Sequence, residues 1–201
     1  VVKQGAASTI EMANAIILHG TCNREAYYSM KYPLASNSHW IPWLQKQLLI
    51  RDIKATTPEM FKSFAPDYSL WKSEFEKNDI NEKTILVGHS CGGGFLVRWL
   101  SENKDVRVAK VILVAPWLDP KSRKGKDFFD FEIDSNIASR ADKFLIFNSN
   151  NVDKEIASSL ETNKKNLNEE IVLSLEIIKK NIKDVKIRNF QNYGHFTYSD
   201  L

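Results

Sequence analysis

Four short, unbroken apolar runs punctuate the chain: Ala15-Ile16-Ile17-Leu18, Thr84-Ile85-Leu86-Val87, Val111-Ile112-Leu113-Val114 and Phe144-Leu145-Ile146-Phe147. Runs of this length without polar alternation suit strands covered on both faces, as in a parallel sheet between helices. Two weaker strand candidates are 49–55 and 185–190; the second alternates apolar and basic residues and predicts an edge strand. Helical spacing fills the intervals. Trp40, Trp43, Leu44, Gln47 and Leu48 share one side of a predicted helix over 40–48, and Tyr68, Trp71 and Phe75 recur at helical steps over 68–75. A further helix continues over 95–100 from a Gly-rich turn, and 155–181 predicts one or two long polar helices with a break near 166–168. Strands alternating with helices make the expected class α/β: a doubly wound, mostly parallel sheet of about six strands with helices on both faces.

Composition narrows the setting. The chain has 201 residues, 43% of them hydrophobic and 26% charged, which suits one globular domain with a single core. That domain is expected over 12–201. Residues 1–11 read as polar and small ahead of Met12, and are expected to be an expression-vector remnant. The formal charge of +3 carries no basic stripe interleaved with aromatics, so no nucleic-acid partner is expected. No apolar run approaches membrane-spanning length, and a cytoplasmic protein without a membrane partner is expected. Cys22 and Cys91 are too few for a disulfide framework and lack zinc-ligand spacing, so no metal is expected. The sequence leaves the oligomeric state open.

The most specific feature is Gly88-His89-Ser90-Cys91-Gly92, set between the run Ile85-Leu86-Val87 and a helical segment. A serine hydroxyl that must stand exposed above a sheet needs a strained backbone at the strand-to-helix turn, and small residues two positions away on each side. Gly88 and Gly92 meet that need. Neither of the common glycine-rich nucleotide-binding patterns is present, so a nucleotide site falls behind.

A serine hydroxyl is a weak nucleophile and needs a base. Of the four histidines, His195 in Tyr193-Gly194-His195-Phe196 follows the last candidate strand, where a loop can carry it over the carboxyl edge of the sheet. His89 is expected to point away from the reaction, and His39 to be a surface or helix-start residue. The first strand ends in Leu18-His19-Gly20-Thr21, which suits a loop lending an oxyanion donor; the expected donors are the backbone N–H groups of Thr21 and Cys91. The acid should follow 144–147. Asp153 is the candidate, with a helix N-cap as its competing role, and Asp119 in Pro116-Trp117-Leu118-Asp119-Pro120 is the runner-up, equally readable as a turn former.

With these residues assembled, the chain resembles the small, lidless α/β-hydrolases of the retinoblastoma-binding protein 9 and YdeN type. The resemblance spans about 13–196 and is carried by Ile17-Leu18-His19-Gly20, Gly88-His89-Ser90-Cys91-Gly92, Leu113-Val114-Ala115-Pro116-Trp117 and Tyr193-Gly194-His195-Phe196. It implies a serine hydrolase with a Ser-Asp-His triad acting on small esters or amides, without metal or organic cofactor. It also implies Ser-x-x-Asp after the acid strand; here Ser149-Asn150-Asn151 is followed by Val152, so Asp153 fits with a one-residue shift. The added helical stretch around 160–172 and the further helix that the resemblance implies after the histidine are the other departures. The alternative function is a catalytically impaired hydrolase-fold protein that binds other proteins. A transferase passing the acyl group to another acceptor ranks third.

Overall fold

The structure, a computed structural model, describes residues 12–122, 126–150 and 161–197. In chain order the elements are β1 (Asn14–Leu18), α1 (Arg24–Tyr28), α2 (Ile41–Leu49), β2 (Lys54–Thr56), α3 (Tyr68–Phe75), β3 (Ile85–His89), α4 (Cys91–Glu102), β4 (Val108–Val114), α5 (Lys126–Phe129), β5 (Ala141–Asn150), α6 (Glu161–Asn181) and β6 (Lys186–Gln191). The six strands form one sheet in the order β2-β1-β3-β4-β5-β6, with every pairing parallel. The four apolar runs became the four inner strands, and the alternating run over 185–190 became an edge. Right-handed crossovers that leave in opposite directions put their helices on opposite faces, so α2 covers one face and α3 to α6 the other.

Two predicted elements changed. The strand expected over 49–55 shrinks to three residues because α2 runs on to Leu49 and turns through Asp52 at φ 59°, with the Ile53 N–H returning to the Leu48 carbonyl at 3.0 Å. The break expected near 166–168 is absent: α6 is continuous. Its buried side chains Ile171, Leu175 and Ile178, with Ile182 just past its end, recur at helical steps, and Ser174 accepts the Leu118 N–H at 3.0 Å. Burying four such side chains, at about 1.5 to 3 kcal/mol each, outweighs the modest helix propensity of two asparagines. On the same face Trp71 of α3 packs at a tilt and Phe75 edge-on against Phe95 of α4, so the aromatic stripe is core.

Connections run one way from β1 to β2 and the other way from β3 onward. The carboxyl ends of β1 and β3 therefore flank the switch point where open α/β sheets hold ligands.

Candidate active site

The turn after β3 sits at that switch point. Ser90 has φ 54° and ψ −119°, a backbone conformation that side chains rarely adopt and that costs on the order of 1–3 kcal/mol. The surroundings hold it there. The Ser90 N–H donates to the Val114 carbonyl at 2.9 Å, and the Ser90 carbonyl accepts from Gly94 at 3.1 Å and from Trp117 at 3.0 Å. A Cβ at Gly88 would stand 2.6 Å from the Gly92 carbonyl oxygen, and one at Gly92 would stand 2.5 Å from that of His19. Both contacts are with backbone, which cannot swing aside, so a side chain at either position would force the turn to shift.

His195 reaches this serine from the turn after β6. Its Nε2 lies 2.9 Å from Ser90 Oγ, joining residues 105 positions apart. The turn is closed by the Phe196 N–H on the Tyr193 carbonyl at 2.8 Å, with Gly194 and Phe196 both at φ 53°. Buried Phe196 anchors it against Phe190 and Tyr193, and the Tyr193 N–H donates to Ser149 Oγ at 3.0 Å. Burial, with neighbouring His39 second, pulls the His195 imidazole down to about 4. The ring is therefore neutral near pH 7 and able to accept a proton.

The other expected residues fall as follows. Gly20 lies against the serine: a Cβ there would meet Ser90 Cβ at 2.9 Å, which places the Gly20-Thr21 loop beside the hydroxyl. Cys91 is the first residue of α4, so its N–H belongs to the positive end of that helix. Its side chain is buried, while Cys22 Sγ lies 3.2 Å from Ser63 Oγ; neither cysteine is in a disulfide. Asp153 lies outside the described residues. Asp119 is buried at φ 47°, and its carbonyl accepts the Ser122 N–H at 2.8 Å, the turn-forming role weighed from the sequence. It makes no hydrogen bond to His195 Nδ1, which is buried and has no partner among the described residues. Among those residues no group of three His, Cys, Asp or Glu side chains could hold a metal ion, and no helix is long and apolar enough to cross a membrane.

The other three histidines make contacts that sequence reasoning did not foresee. His19 accepts the Met60 N–H on Nε2 at 2.8 Å, so the proton sits on Nδ1, which donates to the Gly20 carbonyl at 2.7 Å. Burial lowers its pKa against the opposing pull of Glu59, whose Oε1 is 3.7 Å away. A neutral His19 thus ties the loop after β1 to the segment at Met60. His89 does not point away: its Nε2 lies 2.8 Å from the His195 carbonyl oxygen. His39 reaches the Thr197 carbonyl at 3.1 Å. The gathering of all four histidines at one sheet edge carries no local sequence signal.

Comparison with known proteins agrees with this architecture. Residues 32–169 match the model of a protein family described as serine hydrolase. YdeN of Bacillus subtilis (strain 168) is 30% identical over 79 residues, which is 38% of this chain and 42% of that protein; the aligned stretch spans less than half the length of that relative. The crystal structure of the B. subtilis ydeN gene product superposes with a TM-score of 0.69 at 21% identity, covering 94% of this chain and 92% of that one. A pyrethroid hydrolase from Sphingobium faniae JZ-2 superposes with a TM-score of 0.55 at 11% identity, covering 92% of each chain. At these identities the superpositions speak for the fold alone.

Proposed function

The chain belongs to the serine hydrolase family, and from that premise we propose that it cleaves a small ester or amide through an acyl-enzyme on Ser90. The observation that carries this reading is the 2.9 Å contact between His195 Nε2 and a serine held at φ 54° above the switch point. As Ser90 Oγ attacks the substrate carbonyl carbon, its proton passes to His195 Nε2. The backbone N–H groups of Thr21 and Cys91 hold the oxyanion, at a helix N-terminus that favours negative charge. His195 then gives its proton to the departing alcohol or amine, leaving an acyl-serine. Water, deprotonated by the same imidazole, releases the acid and restores the serine. Asp153 is the proposed acid, accepting from Nδ1–H and stabilising the imidazolium. Two thiols outside any disulfide suit a cytoplasmic setting.

Turnover of a p-nitrophenyl ester tests the reading: Ser90→Ala abolishes it, and Cys91→Ala retains it. Turnover that survives Ser90→Ala refutes it. The alternative, a catalytically impaired hydrolase-fold protein that binds partners, draws on His195 Nδ1, which has no partner among the described residues. A folded protein without ester turnover that holds a protein partner tightly is the result that favours it.

A further inference from the structure

Three of the four histidines take no part in those proton transfers, yet two of them, His89 and His39, grip the turn that carries His195. His89 ends β3 and is enclosed by the core. A carbonyl oxygen only accepts, so the 2.8 Å contact between His89 Nε2 and the His195 carbonyl means that Nε2 carries the proton and donates it. The two rings also lie together, with centroids 4.9 Å apart and planes at 37°, and Trp40 packs edge-on against His89 at 5.7 Å. His39 directly precedes Trp40. Its Nδ1 donates to the Thr197 carbonyl at 3.1 Å, a second hold two residues further along.

The turn needs outside support. Asn192, Gly194 and Phe196 all have φ between 53° and 63°, and left-handed backbone at a side-chain-bearing residue persists only where its surroundings impose it. We infer that His89 is a positioning residue for His195: its Nε2–H fixes the peptide plane at 195, its ring gives the His195 imidazole a surface to lie on, and His39 secures Thr197, so that Nε2 of His195 faces Ser90. Burial, together with the neighbouring His195, His39 and His19, lowers the His89 pKa well below its ordinary value. A neutral His89 can donate from Nε2 without opposing the imidazolium that forms on His195. The inference rests on Ser90 and His195 being the reacting pair.

The test uses the full chain and a p-nitrophenyl ester. A misplacement of about 1 Å can cost roughly 100-fold, so His89→Leu is expected to lower kcat roughly 10- to 100-fold with KM changed by no more than about twofold. Labelling of Ser90 by a fluorophosphonate slows in parallel. His89→Gln, whose amide N–H reaches about as far as the imidazole Nε2–H, recovers most of the loss. Unchanged kcat in His89→Leu, or equal losses in the Leu and Gln variants, overturns the inference. Should His89→Leu not fold, His39→Ala at its exposed position decides: lower kcat at unchanged Tm supports the two-point hold, and unchanged kcat overturns it. Failure of the underlying reading is distinguishable, because the wild-type chain then shows neither labelling nor turnover. In that case NMR of the His195 ring still reads the placement: loss of its Ser90 hydrogen bond in His89→Leu supports it, and retention overturns it.

Discussion

Replacing Gly92 with alanine probes the link between the packing of the turn and the placement of the reacting serine. The added methyl would stand 2.5 Å from the His19 carbonyl oxygen, 2.8 Å from that of Leu18 and 3.0 Å from the Leu18 carbonyl carbon. All three atoms are backbone at the end of β1, a buried strand paired on both sides, so neither partner can yield by rotating a side chain. Overpacking of this kind costs about 1–3 kcal/mol, which lowers Tm by roughly 2–12 °C in a chain of this size. Relief comes only by moving the end of β1 away from α4, and Gly20 and Thr21 lie on that end. Ester turnover at a temperature where the variant is fully folded should therefore fall as well. Thermal unfolding followed by circular dichroism, paired with initial rates at 20 °C below the variant's Tm, separates the two effects. Wild-type Tm together with wild-type rates would refute the packing argument.

Three further outcomes follow from the same geometry. Ser90→Gly should be more stable than Ser90→Ala by about 1 kcal/mol in denaturant unfolding, since only glycine relaxes at φ 54° and ψ −119°; equal stabilities would mean that the turn is unstrained. His19→Leu leaves the Met60 N–H buried without its acceptor and should cost about 1–3 kcal/mol in the same assay. For His195, burial holds the imidazole at about 4, and a carboxylate on Nδ1 would raise it. Asp153→Asn should therefore move the acid limb of kcat/KM downward. In that variant the unfolded imidazole, near 6.5, binds a proton that the folded one does not, so stability falls as pH drops from about 6.5 to about 4, by on the order of 3 kcal/mol. An acid limb that does not move on Asp153→Asn removes Asp153 from the site.

The parts of this site legible in the sequence are turns set by neighbours in the chain and positions that the strand order carries to one edge of the sheet. Gly88 to Gly92 specify their turn locally, because the clashes that exclude larger residues arise within the turn or with the adjacent strand. His195 was legible from its place after the last strand, since a parallel sheet brings every strand's carboxyl end to one edge. The holds by His89 and His39 were not, because they join residues 106 and 158 positions apart and end on backbone carbonyls, which any residue type supplies. The continuity of α6 through 166–168 was missed for a related reason. Local propensity argued for a break, and the packing of Ile171 and Leu175, with Ser174 bonded to Leu118, overrode it.

The central claim is that Ser90 is a nucleophile activated by His195, and intact-mass and peptide mass spectrometry after incubation with a fluorophosphonate tests it most directly. The account predicts one adduct, on Ser90, forming far more slowly in His195→Ala. A folded wild-type chain that stays unlabelled, or an adduct that forms at the same rate without His195, contradicts it.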